Sequence, residues 1–205
     1  MLELRQLDCV RGGRTVFKGV SGRVCAGQLL RVRGANGAGK SSLLRMVCGL
    51  LMPVAGEVCW GGENVASMRE ELGRQLLYVG HGAAVKDDLS ALENLQTASA
   101  LAGHPCTRQQ AQKALADSGL TGRDRVPVRV LSQGQKRRVT LARLALGADQ
   151  PLWVLDEPLN ALDTAAGEWV MARVLAQVAR GGVVVLTSHQ DTLLDAHPNQ
   201  VAIAL

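Results

Sequence analysis

A glycine-rich segment constrains this chain more than any other stretch of its sequence. Gly34-Ala35-Asn36-Gly37-Ala38-Gly39-Lys40-Ser41-Ser42 fits the pattern G-x-x-x-x-G-K-[ST], whose backbone N–H groups surround phosphate. An apolar, strand-like run at 29–33 precedes it, and a helical pattern begins at Ser41. Because a helix start attracts anions, we expect Lys40 to reach the β- and γ-phosphates and Ser41 to bind Mg²⁺. The segment therefore predicts a nucleotide site.

Composition limits the size and class of the molecule. The chain has 205 residues, 47% apolar and 20% charged, which fits one domain that has room for an inserted subdomain. Three Trp, one Tyr and one Phe leave little for recognising nucleic acid by base stacking. A net charge of +5 is compatible with nucleic acid, an anionic membrane surface or a nucleotide alone. The tightest basic cluster, Lys136-Arg137-Arg138, is interpreted as a solvated helix face.

Neither a membrane span nor a cysteine framework is predicted. No apolar run approaches the roughly 20 residues of a transmembrane helix, and the N-terminus lacks a secretory segment. We therefore expect a soluble, intracellular protein that reaches a membrane only through partners. The cysteines are widely spaced, without C-x-x-C, which argues against zinc and disulfides and predicts buried, reduced thiols. They are Cys9, Cys25, Cys48, Cys59 and Cys106.

Short apolar runs alternate with helical patterns along the chain. Strands are predicted at 2–10, 14–17, 20–25, 29–33, 57–60, 76–79, 151–155, 183–186 and 201–205. Residues 82–150 have a mainly helical character, including a helix from the segment at 131–135 to Leu146, and another helix covers about 164–179. This order predicts an α/β fold with a mostly parallel sheet that is covered on both faces.

Two polar segments follow apolar strands, where α/β sheets place their ligands. Asp156-Glu157 follows the run at 151–155; an Asp there can hold Mg²⁺ through water, and a Glu can polarise a water for attack on the γ-phosphate. His189 follows the run at 183–186 and can contact the γ-phosphate or position that water. Without these partners, each would be an ordinary loop residue.

The segment Leu131-Ser132-Gln133-Gly134-Gln135 predicts a second anion-binding helix start. Ser132 has the position of an N-cap, and the amides of Gln133 and Gly134 follow it. One nucleotide cannot easily contact two helix N-termini that belong to the same small domain. A second subunit that supplies its own copy of the segment across the nucleotide resolves this, which predicts a two-fold dimer with composite sites.

Taken together, these motifs resemble those of the nucleotide-binding domain of ABC transporters, over essentially the whole chain. Gly34–Ser42 matches the Walker A motif, Leu131–Gln135 the signature, Leu152–Glu157 the Walker B motif, Ala161–Asp163 the D-loop and His189 the switch histidine. The resemblance implies a P-loop NTPase with a RecA-like core (about 1–81 and 151–205), an antiparallel β subdomain and an inserted α-helical subdomain (about 82–150). It also implies ATP and Mg²⁺ as cofactors, Glu157 and His189 as catalytic residues, Ser41 and Asp156 as metal ligands, and residues 132–135 as nucleotide contacts in trans.

Three departures from the family pattern narrow the resemblance. His81 stands where the family usually has Gln, and it could serve as a metal ligand or contact a water, as that Gln does. Arg11 stands where the family usually has a Tyr that stacks on adenine. Gln133 stands in the signature where Gly is the commonest residue. Arg11 either lays its guanidinium on adenine or is a surface residue. These departures are similar to those of the ATP-binding subunit of the haem exporter in bacterial cytochrome c maturation. A haem-ligand role for His81 or His104 is disfavoured, since haem sites need an apolar pocket.

The resemblance therefore implies an ATPase of a haem-export complex. Its implied partners are a second copy of the chain and integral membrane permease subunits, on the cytoplasmic side of the bacterial inner membrane, with no nucleic acid and no haem bound directly. One alternative is the ATPase of another exporter. A soluble ABC protein acting on DNA or ribosomes is disfavoured, because only residues 82–130 separate His81 from Leu131 and there is one P-loop.

Overall fold

The chain folds around a five-stranded parallel sheet, described in a computed structural model that covers residues 1–188 and 198–205. The sheet has the order β6 (Leu76–Val79), β7 (Leu152–Leu155), β8 (Val183–Thr187), β3 (Leu29–Arg33) and β9 (Gln200–Ala204). β7 and β8 are almost entirely apolar and buried along their length, and β3 is buried up to its last residue, as parallel strands covered by other layers require. The prediction of a mostly parallel, covered sheet is confirmed.

A second, antiparallel sheet packs beside the first. Its order is β2 (Arg14–Val24), β1 (Leu2–Arg11), β4 (Ala55–Trp60) and β5 (Glu63–Asn64). The sequence pattern predicted two strands where β2 is one, because Gly19 interrupts the alternation. Gly19 has φ 64° and donates its N–H to Asp8 Oδ1 at 2.7 Å, so the strand bends there without ending.

Helices cover the sheets and form a region of their own. α1 (Lys40–Val47) follows β3, α2 (Arg69–Gln75) precedes β6, and α6 (Thr164–Ala179) connects β7 to β8. Between β6 and β7 lie α3 (Ala91–Leu101), α4 (Arg108–Asp117) and α5 (Gln133–Leu141), with 3₁₀ turns at Val128–Val130 and Ala142–Ala145. None of the helices in the described ranges has the length and apolarity that crossing a bilayer requires.

Two details of the helix prediction are wrong. The helix expected to reach Leu146 ends at Leu141 and tightens into a 3₁₀ turn, a common way to satisfy the last carbonyl groups. α2 was not predicted, because only Leu72 of its seven residues is buried and one apolar residue sets no periodicity.

Three apolar clusters hold these layers together. One lies between the antiparallel sheet, α1 and one face of the parallel sheet, where Leu30, Val154 and Val185 point. A second lies under α6 on the other face, and a third has all its buried members between residues 91 and 142. Cysteines 9, 48 and 59 are buried, but Cys25 is exposed and Cys106 half-buried, so the expectation of five buried thiols is wrong for these two.

Candidate nucleotide site

The carboxyl ends of four parallel strands carry the segments that the sequence singled out. Gly34 follows β3, Gly80-His81 follows β6, Asp156-Glu157 follows β7 and Ser188 follows β8. Since parallel strands end on the same edge of a sheet, these segments meet there. His189 lies outside the described residues, so its predicted role stays a prediction.

Gly39 gives the glycine-rich loop its shape. Its φ is 102°, and a Cβ at this position would lie 2.5 Å from Val16 Cγ1 and 2.8 Å from Phe17 Cδ1. Glycine is therefore required both by the left-handed backbone and by the close approach of β2. α1 begins directly after it, and no described side chain caps that helix start. The first backbone N–H groups of α1 therefore have no acceptor from a described side chain at the end of the loop.

Lys40 fills the centre of the loop. Its side chain is buried, and Nζ donates hydrogen bonds to the carbonyl oxygens of Gly34, at 2.9 Å, and Ala35, at 3.1 Å. These contacts tie the ammonium group to the first two residues of the loop. A phosphate that enters meets a fixed cation as well as amide donors.

Two clefts open beside this loop. The larger, of about 560 Å³, is lined by Asn36, Gly37, Ser41, His81, Glu157, Leu159, Asn160, Thr187 and Ser188. The smaller, of about 300 Å³, shares Asn36, Gly37, Ser41 and Glu157 with it and adds Arg11, Val16, Gly39, Lys40 and Ser42. The structure thus brings Arg11, the P-loop, His81 and Glu157 into one continuous set of lining residues.

Thr187 organises the two acidic residues at the end of β7. Its Oγ1 donates to Asp156 Oδ1 at 2.8 Å and accepts a hydrogen bond from the Glu157 N–H at 2.8 Å. Asp156 is 2% exposed, whereas Glu157 faces the clefts. Glu157 has φ 48°, a left-handed conformation that few non-glycine residues adopt. Thr187 was missed by sequence reasoning, since its segment drew attention only for His189.

The donor set fits a magnesium ion. Asp156 contributes a carboxylate and Ser41 a hydroxyl that lines the larger cleft, and Mg²⁺ prefers such hard oxygen ligands. His81 is placed differently: its Nδ1 lies 3.4 Å from Glu157 Oε2, with 65% of the side chain exposed. The structure therefore places His81 against the Glu157 carboxylate and on the wall of the same cleft.

Arg137 is a second residue that sequence reasoning missed. Interpreting Lys136-Arg137-Arg138 as a solvated face is wrong for Arg137, which is 5% exposed. Its guanidinium donates four hydrogen bonds to main-chain carbonyl oxygens beside the cleft, those of Gly80, His81, Asp156 and Glu157. Burial lowers the pKa of Arg137, and the negative charges of Asp156 and Glu157 act against that shift. No motif drew attention to it, since it lies two residues beyond Gln135.

The segment Ser132–Gln135 opens α5 with a capping box. Ser132 Oγ accepts the Gln135 N–H at 3.2 Å, and Gln135 Oε1 accepts the Ser132 N–H at 3.0 Å. Ser132 and Gln133 are exposed, while a Cβ on Gly134 would lie 2.9 Å from the Ala161 carbonyl oxygen. Within the described chain, none of residues 132–135 lines either cleft. Their predicted role as nucleotide contacts in trans stays a prediction.

Comparison with known proteins gives a consistent picture. The chain matches the sequence model of the family described as "ABC transporter" over residues 17–160. It is 45% identical over 194 residues to the cytochrome c biogenesis ATP-binding export protein of Nitrosomonas europaea, covering 95% of this chain and 91% of that one. The protein of the same description from Aromatoleum aromaticum is 49% identical over 191 residues, covering 93% of this chain and 89% of that one.

Solved structures agree with the fold. An ABC transporter ATP-binding protein from Pyrococcus furiosus superimposes with a TM-score of 0.84 at 24% identity, covering 100% of this chain and 96% of that chain. A dimeric ATP-binding cassette in a post-hydrolysis state, bound to ADP and Pi, superimposes with a TM-score of 0.80 at 25% identity, covering 93% of this chain and 88% of that chain. The predicted fold class is confirmed.

Proposed function

The chain belongs to the ABC transporter family of ATP-binding proteins, and we propose that it hydrolyses ATP within a haem-export complex of cytochrome c maturation. The observation that carries the proposal is the cleft in which the P-loop, Ser41, His81 and Glu157 meet at the strand ends. Support for the specific complex comes from relatives 45% and 49% identical, which are described as cytochrome c biogenesis export proteins.

In the proposed reaction, the P-loop holds the phosphates and Glu157 prepares the attacking water. Lys40 and the amides at the start of α1 bind the β- and γ-phosphates. Ser41 and Asp156 would hold Mg²⁺, which would supply positive charge against the charge that develops on the phosphates. Glu157 accepts a hydrogen bond from the water and orients it in line with the γ-phosphate, and we assign His81 and His189 to the same water and phosphate.

The proposed active unit is a dimer of this chain. Each P-loop forms half of a site, and the α5 start of the other copy completes it, with Ser132, Gln133, Gly134 and Gln135 facing the γ-phosphate. The capping box supports this, because it uses the Ser132 oxygen as an acceptor and leaves its O–H to donate to phosphate. Hydrolysis removes the group that both halves share, and the dimer reopens.

The region between β6 and β7 is the proposed contact with the membrane partners. We assign residues 82–150 to a helical subdomain inserted in a core of 1–81 and 151–205, since one apolar cluster joins residues 91 to 142. Residues 82–100 follow His81 directly, so force applied to them reaches the cleft by a short path. Such partners would keep the protein on the cytoplasmic face of the inner membrane.

The test of hydrolysis is Glu157→Gln. We expect ATP turnover to fall by about 10²-fold or more, as for loss of a general base, while ATP binding persists. Glu168→Gln is the matched control, since Glu168 is exposed on α6. Near-normal turnover by Glu157→Gln would remove Glu157 from the role of base.

The test of the complex is the set of membrane proteins that remain bound after mild detergent extraction. We expect a haem-handling membrane partner. A stable complex with unrelated permeases instead would favour the alternative, the ATPase of a different exporter, and would leave the proposed hydrolysis intact.

A further inference from the structure

Arg137 joins two strand ends that the sheet itself no longer joins. β6 and β7 pair in register up to Val79 and Leu155, and one further hydrogen bond runs from the Asp156 N–H to the Val79 carbonyl oxygen at 2.8 Å. Beyond that point the two segments continue into separate loops, which line the cleft. The Arg137 side chain enters this gap from α5.

The guanidinium divides its donors between the two loops. Nη1 donates to the carbonyl oxygens of Gly80, at 2.7 Å, and His81, at 3.2 Å, and Nη2 donates to those of Asp156, at 2.9 Å, and Glu157, at 3.0 Å. A planar, forked cation suits this task because it offers two pairs of donors in fixed directions. No lysine could serve both loops at once in the same way.

We propose that Arg137 is a positioning residue for ATP hydrolysis, which holds the Glu157 carboxylate and the His81 ring in their working arrangement. The inference rests on the proposed function. Arg137 fixes the Glu157 carbonyl oxygen while Thr187 Oγ1 fixes the Glu157 N–H, so both main-chain groups of this left-handed residue are held. It also fixes the His81 carbonyl oxygen, and the His81 ring lies 3.4 Å from the carboxylate.

The position of Arg137 on α5 gives the arrangement a second consequence. Ser132, five positions earlier, caps the same helix and is assigned to the nucleotide of the partner copy. A shift of α5 on contact with that nucleotide therefore moves the guanidinium that holds Glu157 of its own chain. The coupling runs through one helix and one side chain, without an intervening flexible segment.

Another arginine, half-buried in the same region, provides a control for the loss of an arginine that donates to main-chain carbonyl groups. Arg143 lies in the 3₁₀ turn that follows α5, burial lowers its pKa, and its Nη1 donates to the Tyr78 carbonyl oxygen at 3.1 Å. Its hydrogen bond reaches the interior of β6 rather than the cleft loops. Arg143→Met therefore removes a half-buried arginine from the same region without removing the link between the strand ends.

The experiment compares the purified full-length protein with Arg137→Met, Arg137→Lys and Arg143→Met. For Arg137→Met we expect kcat to fall about 10²-fold with KM and ATP affinity within about threefold, because a small misplacement of a catalytic group acts on the chemical step. Arg137→Lys, which can serve one loop, should fall between that variant and the wild type. Arg143→Met should keep kcat within about threefold of the wild type at an equal folded fraction.

Hydrogen exchange supplies a readout that does not depend on turnover. Amides in 80–84 and 156–160 should exchange faster in Arg137→Met than in Arg143→Met, in the absence of nucleotide. Wild-type kcat in Arg137→Met, or an equal kcat loss in Arg143→Met, would overturn the inference. If Arg137→Met does not fold, an unchanged kcat in Arg137→Lys overturns it instead.

The failure of this inference is separable from failure of the proposed function. A wild-type protein that does not hydrolyse ATP, alone or with bound partners, contradicts both. A wild-type protein that hydrolyses ATP and loses this activity in Glu157→Gln, but not in Arg137→Met, contradicts only the role of Arg137.

Discussion

Helix α1 and helix α5 both begin at segments assigned to a nucleotide, but their first turns are built differently. α1 follows the left-handed Gly39 and has no side-chain cap from any described residue. α5 begins at Ser132, whose side chain and that of Gln135 cap each other's backbone N–H groups. α3 and α4 have the same capping box, at Ser90 and Thr107, and Asp163 caps α6, so among the described α-helices only α1 and the short α2 lack a side-chain cap.

The difference indicates how each helix start depends on its ligand. The four first N–H groups of a helix need acceptors, and those of α1 find none in a capping side chain. Phosphate is the acceptor that would complete this start. α5 is already capped, and the O–H of Ser132 is left to donate outward. We therefore expect the P-loop to change conformation when nucleotide binds. The first turn of α5, in contrast, has its capping hydrogen bonds before the second subunit binds.

Among the variants that test this difference between α1 and α5, removal of the Lys40 side chain should have the largest effect on ATP turnover. Lys40→Ala deletes the fixed cation at the start of α1, and each lost charge-assisted hydrogen bond is worth about 1.5–3 kcal/mol, so ATP turnover should fall by about 10³-fold. Equilibrium titration with ATP and a turnover assay provide the measurement. Lys18→Ala, at an exposed position of β2, makes the same change in net charge and should change neither quantity. Turnover within about tenfold of the wild type would show that α1 does not need the cation.

A methyl group at Gly39 should have the next largest effect. Gly39→Ala places a side chain on a residue with φ 102° and against Val16 and Phe17, so the free energy of unfolding should fall by about 2–4 kcal/mol. Gly37→Ala is the control, since its φ is 84° but its Cβ would meet nothing within 4 Å, and about 1–2 kcal/mol is expected. Urea denaturation measures both. Equal losses would mean that packing on β2 does not require glycine at position 39.

Removal of the α5 cap separates its structural role from its role in trans. Ser132→Ala should lower the free energy of unfolding by about 1 kcal/mol, as for other N-caps. It should also lower kcat about 10-fold to 10²-fold, since it removes one donor to the γ-phosphate in the composite site. Thr107→Ala removes the matching cap from α4 and should cost the same stability with no change in kcat. Parallel losses of kcat in both variants would leave Ser132 with a structural role only.

Residue patterns were sufficient where a motif or an apolar run determines the structure. The P-loop, the parallel sheet and α6 follow from glycine spacing and continuous apolar segments, and the structure confirms the fold class. The capping boxes at Thr107 and Ser132 also match the pattern of polar residues three positions apart.

Tertiary hydrogen bonds could not be predicted in the same way. Arg137 stands in a run of basic residues whose local pattern does not separate the buried member from its neighbours. Its four acceptors are carbonyl oxygens 19 to 57 positions away, and a carbonyl group leaves no trace in the amino-acid type. The left-handed φ of Glu157 is hidden for the same reason, because a glutamate ordinarily adopts other conformations.

The smallest effect is expected for Arg11, whose substitution tests whether the half of the site that holds the P-loop also selects the base. Arg11 lines the smaller cleft with Gly39, Lys40 and Ser42, where a guanidinium can stack on a purine. Stacking does not distinguish purines, so we expect the dissociation constants for ATP and GTP to lie within about threefold of each other. Arg11→Ala should weaken both by about three- to fivefold, the equivalent of about 0.5–1 kcal/mol for an exposed cation–π contact. Arg14→Ala, across the same hairpin, is the control. A strong preference of the wild type for ATP over GTP would require a base-specific contact that stacking by Arg11 does not supply. An unchanged affinity for both nucleotides in Arg11→Ala would make Arg11 a surface residue.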